Sequence, residues 1–174
     1  DANVALRCTS VPGYGKDLAV EARIDGAVVA HEAGVATISH AAPSLQNVTV
    51  ENAEQPRLTS GAYRIVLHGG NLGASAGNAA NDDLRRDMRV LVGGRECGVV
   101  SVSNFAIKCL APEGSGVVDV VVIALGQRSN AVAFAYDPPT IDNSTTLTMP
   151  TLGGRTFVKG SNFADDDSNA SFAL

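Results

Sequence analysis

The residues of this chain that can do chemistry are few. Its three cysteines, Cys8, Cys97 and Cys109, form neither a C-x-x-C pair nor the Cys/His spacing that wraps a tetrahedral metal. His31, His40 and His68 are scattered, and each reads as surface or boundary packing rather than as a metal ligand. Asp82-Asp83 and Asp165-Asp166-Asp167 gather the carboxylates a hard cation such as Ca²⁺ prefers; a solvated acidic loop is the simpler reading of both. Gly73-Ala74-Ser75-Ala76-Gly77 has the letters of a G-x-S-x-G nucleophile elbow, with His68-Gly69-Gly70 just before it. An elbow needs a strand running straight into the turn, a helix after it, and an oxyanion-hole loop from a different strand. Here both motifs share one loop, so the match is a coincidence of Gly/Ala-rich sequence. Gly13-x-Gly15 and Gly114-x-Gly116 are turn glycines, since no helix follows to offer its N-terminus to a phosphate. No catalytic residue, cofactor site or metal site is expected. What remains is modification chemistry. Asn47-Val48-Thr49, Asn143-Ser144-Thr145 and Asn169-Ala170-Ser171 are acceptors for an N-linked glycan if the chain is secreted.

These residues must be positioned by strands. The chain has 174 residues, 45% of them hydrophobic and 18% charged, enough apolar surface to form a core. The net charge of −5 and the absence of a basic stripe argue against nucleic acid as a partner. The longest apolar run, 117–125, is broken by Asp119 and falls far short of the roughly 20 residues a membrane helix needs. The sequence opens on Asp1 without a leader, as expected of a processed chain or an excerpt. Residues 62–68 alternate, with Tyr63, Ile65 and Leu67 on one face and Arg64 and His68 on the other. Three hairpins are predicted: 18–24 with 27–30 around Asp25-Gly26, 88–92 with 95–102 around Gly93-Gly94, and 117–125 with 131–136 around Gly126-Gln127. Only 78–91 has a helical reading, from an N-cap at Asn81 or Asp82. The whole is predicted to be an all-β sandwich.

The chain also resembles itself. Leu6-Arg7-Cys8 followed by Pro12-Gly13-Tyr14-Gly15 matches Ile107-Lys108-Cys109 followed by Pro112-Glu113-Gly114-Ser115-Gly116. Ile38 and Pro43 match Phe134 and Pro139, His40 matches Tyr136, and 64–72 (RIVLHGGNL) matches 155–163 (RTFVKGSNF). The spacing between matches changes only across loops, where insertions cost little. The expectation is the tail of one module at 1–42, a complete module at 43–138, and the head of a third at 139–174, an excerpt from a tandem array. Neither flank can bury a core alone. Asn47 and Asn143 are then repeat equivalents on the first strand of their modules.

The middle module runs in order through 43–48, Thr59-Ser60-Gly61, Gly69-Gly70-Asn71-Leu72-Gly73, Val90-Leu91-Val92-Gly93-Gly94, Cys97, Ile107-Lys108-Cys109, 112–116, Ser129-Asn130-Ala131 with Phe134 and Tyr136, and Pro138-Pro139-Thr140-Ile141. In these residues it resembles an IPT/TIG domain, the immunoglobulin-like module of plexins, scatter-factor receptors, fibrocystin-like proteins and many protist and algal surface proteins. The loop 74–87 departs from the family in its length. The resemblance implies tandem immunoglobulin-like sandwiches and a Cys97–Cys109 disulfide. Cys8, the repeat equivalent of Cys109, would then pair with a cysteine N-terminal to the chain. The rival reading of the cysteines is three buried free thiols in a cytosolic protein. The implied function is a non-catalytic extracellular or cell-surface array, acting as spacer, stalk, filament component or adhesive element. Its partners are neighbouring IPT/TIG modules, other protein modules or copies of the same chain, with no nucleic acid and no membrane insertion. Two alternatives are the dimerisation module of a DNA-binding transcription factor and an accessory module of a carbohydrate-active enzyme. The linker Asp137-Pro138-Pro139-Thr140 is expected to restrain the joint between modules, and His40-Ala41-Ala42-Pro43, with one proline, to bend more.

Overall fold

The alternation over 62–68 is realised: Ile65 and Leu67 are fully buried, Arg64 is exposed and His68 half-buried. The computed structural model describes residues 7, 9, 13, 15–29, 36–73, 88–142, 151–153 and 158–163. Among these every regular element is a strand. The first four are short: β1 (Leu18–Ala19), β2 (Arg23–Ile24), β3 (Ala27–Val28) and β4 (Thr37–Ile38). The central strands are β5 (Ser44–Val50), β6 (Arg64–Gly70), β7 (Met88–Val92), β8 (Arg95–Val102), β9 (Ala106–Leu110), β10 (Val117–Ala124), β11 (Gln127–Arg128) and β12 (Val132–Ala135). The last two are β13 (Thr140–Ile141) and β14 (Gly160–Ser161).

The central strands follow one antiparallel path, β11-β10-β7-β8-β9-β6-β5, with β12 also on β10. The path folds into two layers at β8. Arg95, Glu96 and Cys97 pair with β7, whereas Gly98 to Val102 pair with β9, with a register slip between Val99 and Ser101. A strand that bends out of one sheet into another makes a corner, and the bulge sharpens it. The core fills the space between the layers: Ile65, Leu67 and Ile107 from one, Val90, Val92, Val120 and Val122 from the other, with Leu72 from the loop after β6. Phe134 and Tyr136 close one end edge-to-face, 5.3 Å between ring centroids. Tyr136 Oη donates to Pro112 O at 2.9 Å.

Several boundaries differ from the sequence reading. The segment 18–24 is two short strands, not one: β1 pairs with β4 and encloses the β2–β3 hairpin. The third hairpin turns at Leu125-Gly126, not Gly126-Gln127. Both residues have positive φ, 41° and 77°, and Gln127 already pairs with Ala124. Its return strand breaks at Ser129-Asn130-Ala131, where Ser129 Oγ accepts the Val122 amide at 3.0 Å. Residues 88–91, the end of the stretch with a helical reading, are strand β7, because Val90 and Val92 alternate into the core. Most of that stretch, with Asn81, Asp82 and Asp83, lies outside the described residues.

Candidate functional site

The disulfide implied by the resemblance is present. Cys97 and Cys109 are bonded, with Cα atoms 5.6 Å apart. Cys97 pairs with Val90 in one layer and Cys109 with Ile65 in the other. The bond therefore staples the two layers at the corner, and both cysteines are buried. Cys8, Asn143, Asn169, His31, Asp165, Asp166, Asp167 and residues 74–77 of the G-x-S-x-G stretch lie outside the described residues. Asn47 is exposed on β5, on the same face as Thr49, whose hydroxyl lies 3.1 Å from His68 Nε2. Across that face Glu51 takes Lys108 at 2.7 Å and Arg64 at 3.4 Å. The hydrogen bond from Lys108 is the main reason its carboxyl sits below the usual range. These are solvent-facing pairs, worth little in stability. Among the described residues no group of three His, Cys, Asp or Glu could hold a metal ion.

Polar groups converge instead where the sandwich meets the segment after it. Asp137 and Arg57 bind each other at four points. Asp137 Oδ2 accepts the Arg57 amide at 2.8 Å, and Oδ1 accepts Nε at 3.0 Å and a terminal guanidinium nitrogen at 2.8 Å. The Asp137 amide donates back to Arg57 O at 2.9 Å. The donated Arg57 backbone bond, then the guanidinium, hold the Asp137 carboxyl below the usual range. Asn162, the residue immediately after β14, completes the set. Its Nδ2 donates to Asp137 O and lies 3.4 Å from Pro138 O. Its Oδ1 accepts the Thr59 amide at 2.7 Å and the Thr59 hydroxyl at 3.1 Å. Thr59 is 95% buried by these contacts and its neighbours, with 5% exposure left. The two donors and two lone pairs of one side-chain amide are thereby used across the four-residue linker 137–140.

The other end of the sandwich meets the segment before it. Gln127 Oε1 accepts the Gly15 amide at 3.1 Å, and its Nε2 donates to His40 O at 2.9 Å. Asn71 Nδ2 donates to Ala42 O at 3.3 Å, next to the linker proline, Pro43. Asn71 thus ties the loop after β6 to the residues just before β5.

The two flanks repeat details of the sandwich. Thr140 pairs with Ser161 and Ile141 with Gly160, as Ser44 pairs with Gly70 and Leu45 with Gly69. A Cβ on Gly69 would lie 2.0 Å from Ser44 O, and one on Gly160 2.0 Å from Thr140 O, so both crossings need glycine. Asn71 and Asn162 both have positive φ, 55° and 60°. On the N-terminal side Leu18, three residues after Gly15, pairs with Ile38, whereas Val118, two residues after Gly116, pairs with Phe134, a one-residue difference in register. The His40 amide bonds Gly15 O and the Tyr136 amide bonds Gly116 O, each at 2.9 Å.

Sequence reasoning put weight on the prolines of the linker and overlooked Arg57, Thr59 and Asn162. The signal for Asn162 was present in the match of 64–72 to 155–163; Arg57 and Thr59 carried none that marks a joint. An open groove of about 510 Å³ also runs beside β5 and β12, walled by Val48, Val50, Pro56 and Phe134. Of its charged members, Arg57 and Asp137 are committed to each other and Glu54 is exposed to solvent.

No curated protein matches the chain. Among solved structures, a putative phosphatase from Bacteroides thetaiotaomicron VPI-5482 aligns at 18% identity with a TM-score of 0.37, covering 58% of this chain. The aligned part is 19% of that chain, and the likeness is too weak to bear on fold or activity. The family model for the IPT/TIG domain matches residues 56–136, from the loop before β6 through Tyr136. That span holds the disulfide-stapled corner, both layers' central strands and the Phe134–Tyr136 pair, and the sandwich it builds is an IPT/TIG domain.

Proposed function

We propose that this chain is a segment of a tandem array of IPT/TIG modules in a secreted or cell-surface protein, in which the modules serve as non-catalytic structural spacers. The observation that carries this reading is the recurrence of strand register in the C-terminal flank. β13–β14 has the register and glycine crossing of the β5–β6 start, and β1–β4, like β10–β12, is an antiparallel pair closed by an amide bonded to a glycine carbonyl, one residue out of step. Unrelated short strands would have no reason to repeat both a register and a positive-φ asparagine. The buried disulfide supports an oxidising compartment. In that compartment Asn47 is the sequon best placed among the described residues, since it is exposed on an outer face. The short linkers support a spacer over a flexible tether.

The experiment is small-angle scattering on the chain produced through a secretory pathway, with Pro138 and Pro139 replaced by Gly as the comparison, and light scattering for mass. A monomer with a narrow distance distribution, broadened by the substitutions, supports a restrained spacer. A stable homodimer would instead favour a dimerisation module. Equal, broad distributions for both proteins would remove the spacer reading.

A further inference from the structure

Building on the tandem reading, we infer that the asparagine after the glycine crossing, Asn162 and its equivalent Asn71, is the docking residue of the module joint, and that its partner surface is the Arg57–Thr59 loop of the preceding module. Position and chemistry converge on this. Asn162 stands in the left-handed region, and its side chain reaches back to the linker carbonyls. Its amide ties linker to loop: donors to the carbonyls of Asp137 and Pro138, acceptor to the Thr59 amide and hydroxyl. Asp137 is meanwhile locked to Arg57, so the linker is held from both sides. The loop that receives Asn162 is itself fixed to the sandwich, because Thr59 O accepts the Gly114 amide at 2.8 Å and Ala62 donates to Ala111 O at 2.9 Å. A rigid receptor and a side chain with a single pose set an angle; prolines alone only limit one. The surface fits a strand corner carrying a small residue and then a positive-φ asparagine, and Asn71 presents the same corner at the opposite end of the domain. Each module of the array would then carry both halves of one head-to-tail contact.

The test uses the full 174-residue chain, isotope-labelled, in which residual dipolar couplings report orientation and amide exchange reports the Thr59 bond. The variant is Asn162→Gly, which keeps the positive φ and removes only the side chain. The expected result is Thr59 amide exchange roughly three- to tenfold faster, and couplings of 140–142 and 158–163 that no longer share the alignment of the sandwich. Thr59→Val should weaken the shared alignment and Thr59→Ser should restore it, a rescue that a merely structural role for the loop does not predict. Wild-type values for exchange and couplings in Asn162→Gly would overturn the docking role, as would couplings already averaged in the unsubstituted chain. Neither result would touch the register equivalence behind the tandem reading.

Discussion

Reducing the Cys97–Cys109 bond should cost the sandwich a large share of its stability, and the size follows from where the bond sits. The cysteines are 12 apart in sequence, and the chain-entropy argument assigns about 3 kcal/mol to closing a loop of that length. Against a total of about 5–15 kcal/mol for a domain of this kind, that is a fifth or more. The bond also joins a residue paired in one layer to a residue paired in the other, at the corner where β8 changes sheets. Its loss therefore frees the layers from each other as well as the 97–109 hairpin. The assay is urea unfolding of the chain with and without a phosphine reductant, followed by far-ultraviolet circular dichroism. With a urea slope of about 1–3 kcal/mol per molar, the midpoint should fall by roughly 1–3 M. A Cys97→Ala, Cys109→Ala protein should fall further, because both sulfur atoms are buried and their removal leaves unfilled volume. A midpoint that moves by less than about 0.3 M on reduction, well below what that slope implies, would refute the reasoning. It would mean that the β8–β9 ladder already restrains the unfolded chain as much as the bond does.

Further outcomes follow from single groups. Gly69→Ala places a methyl 2.0 Å from Ser44 O; β5 must shift away from β6, and thermal unfolding should drop by roughly 10 °C for a cost of about 2 kcal/mol. Tyr63 Oη is buried without a hydrogen-bond partner, and burial is the main cause of its strongly raised pKa. Tyr63→Phe should leave stability unchanged or raise it by up to about 1 kcal/mol, and a loss of that size in urea unfolding would expose an unseen partner. Asp137 has a lowered pKa, so its contribution is complete above the unfolded carboxylate value and is lost as pH falls through the lower folded one. A carbon-detected NMR titration should find its midpoint below that of ordinary aspartates, and Arg57→Gln should move it upward. Asn130→Ala removes the amide that accepts from Leu45 N and donates to Leu45 O, both at 2.9 Å. A cost of about 1–2 kcal/mol and faster exchange at Leu45 are expected.

The parts of the fold that were legible in the sequence are those set by local rules. Ile65 and Leu67 alternate with Arg64 and His68 because a half-buried strand has period two. Gly93 and Gly94 turn a hairpin because both must take positive φ. The turn at Leu125-Gly126 was misplaced by one residue because leucine gives no sign of positive φ; the packing of Leu125 against Gly15, 3.0 Å from where a Cβ would stand, is a tertiary fact. The joint was the least legible. Arg57 and Asp137 are 80 residues apart, Thr59 and Asn162 are 103 apart, and no periodicity or spacing rule links residues at that distance. Only the repeat, which set Asn71 beside Asn162, carried a trace of it.

The joint also shows why so small a contact can be enough. Asn162 and Thr59 make a handful of neutral hydrogen bonds, each worth about 1 kcal/mol net, and Arg57 and Asp137 are a third or more exposed and so screened by water. Two free domains would not associate through a patch of this strength, given what association costs in lost freedom. Across a linker of four residues most of that cost is already met, because the second surface is held at high effective concentration beside the first. The contact then has only to choose one angle among the few that Pro138 and Pro139 allow. In the proposed array it would also be heterologous: the Thr59 loop and the Asn71 corner lie at opposite ends of the sandwich, so repeating the contact would propagate along a line and not close on a pair. An interface too weak to dimerise but strong enough to orient is what the proposed spacer role requires of this joint, and the residues that would make it are set at the ends of the fold, away from its core.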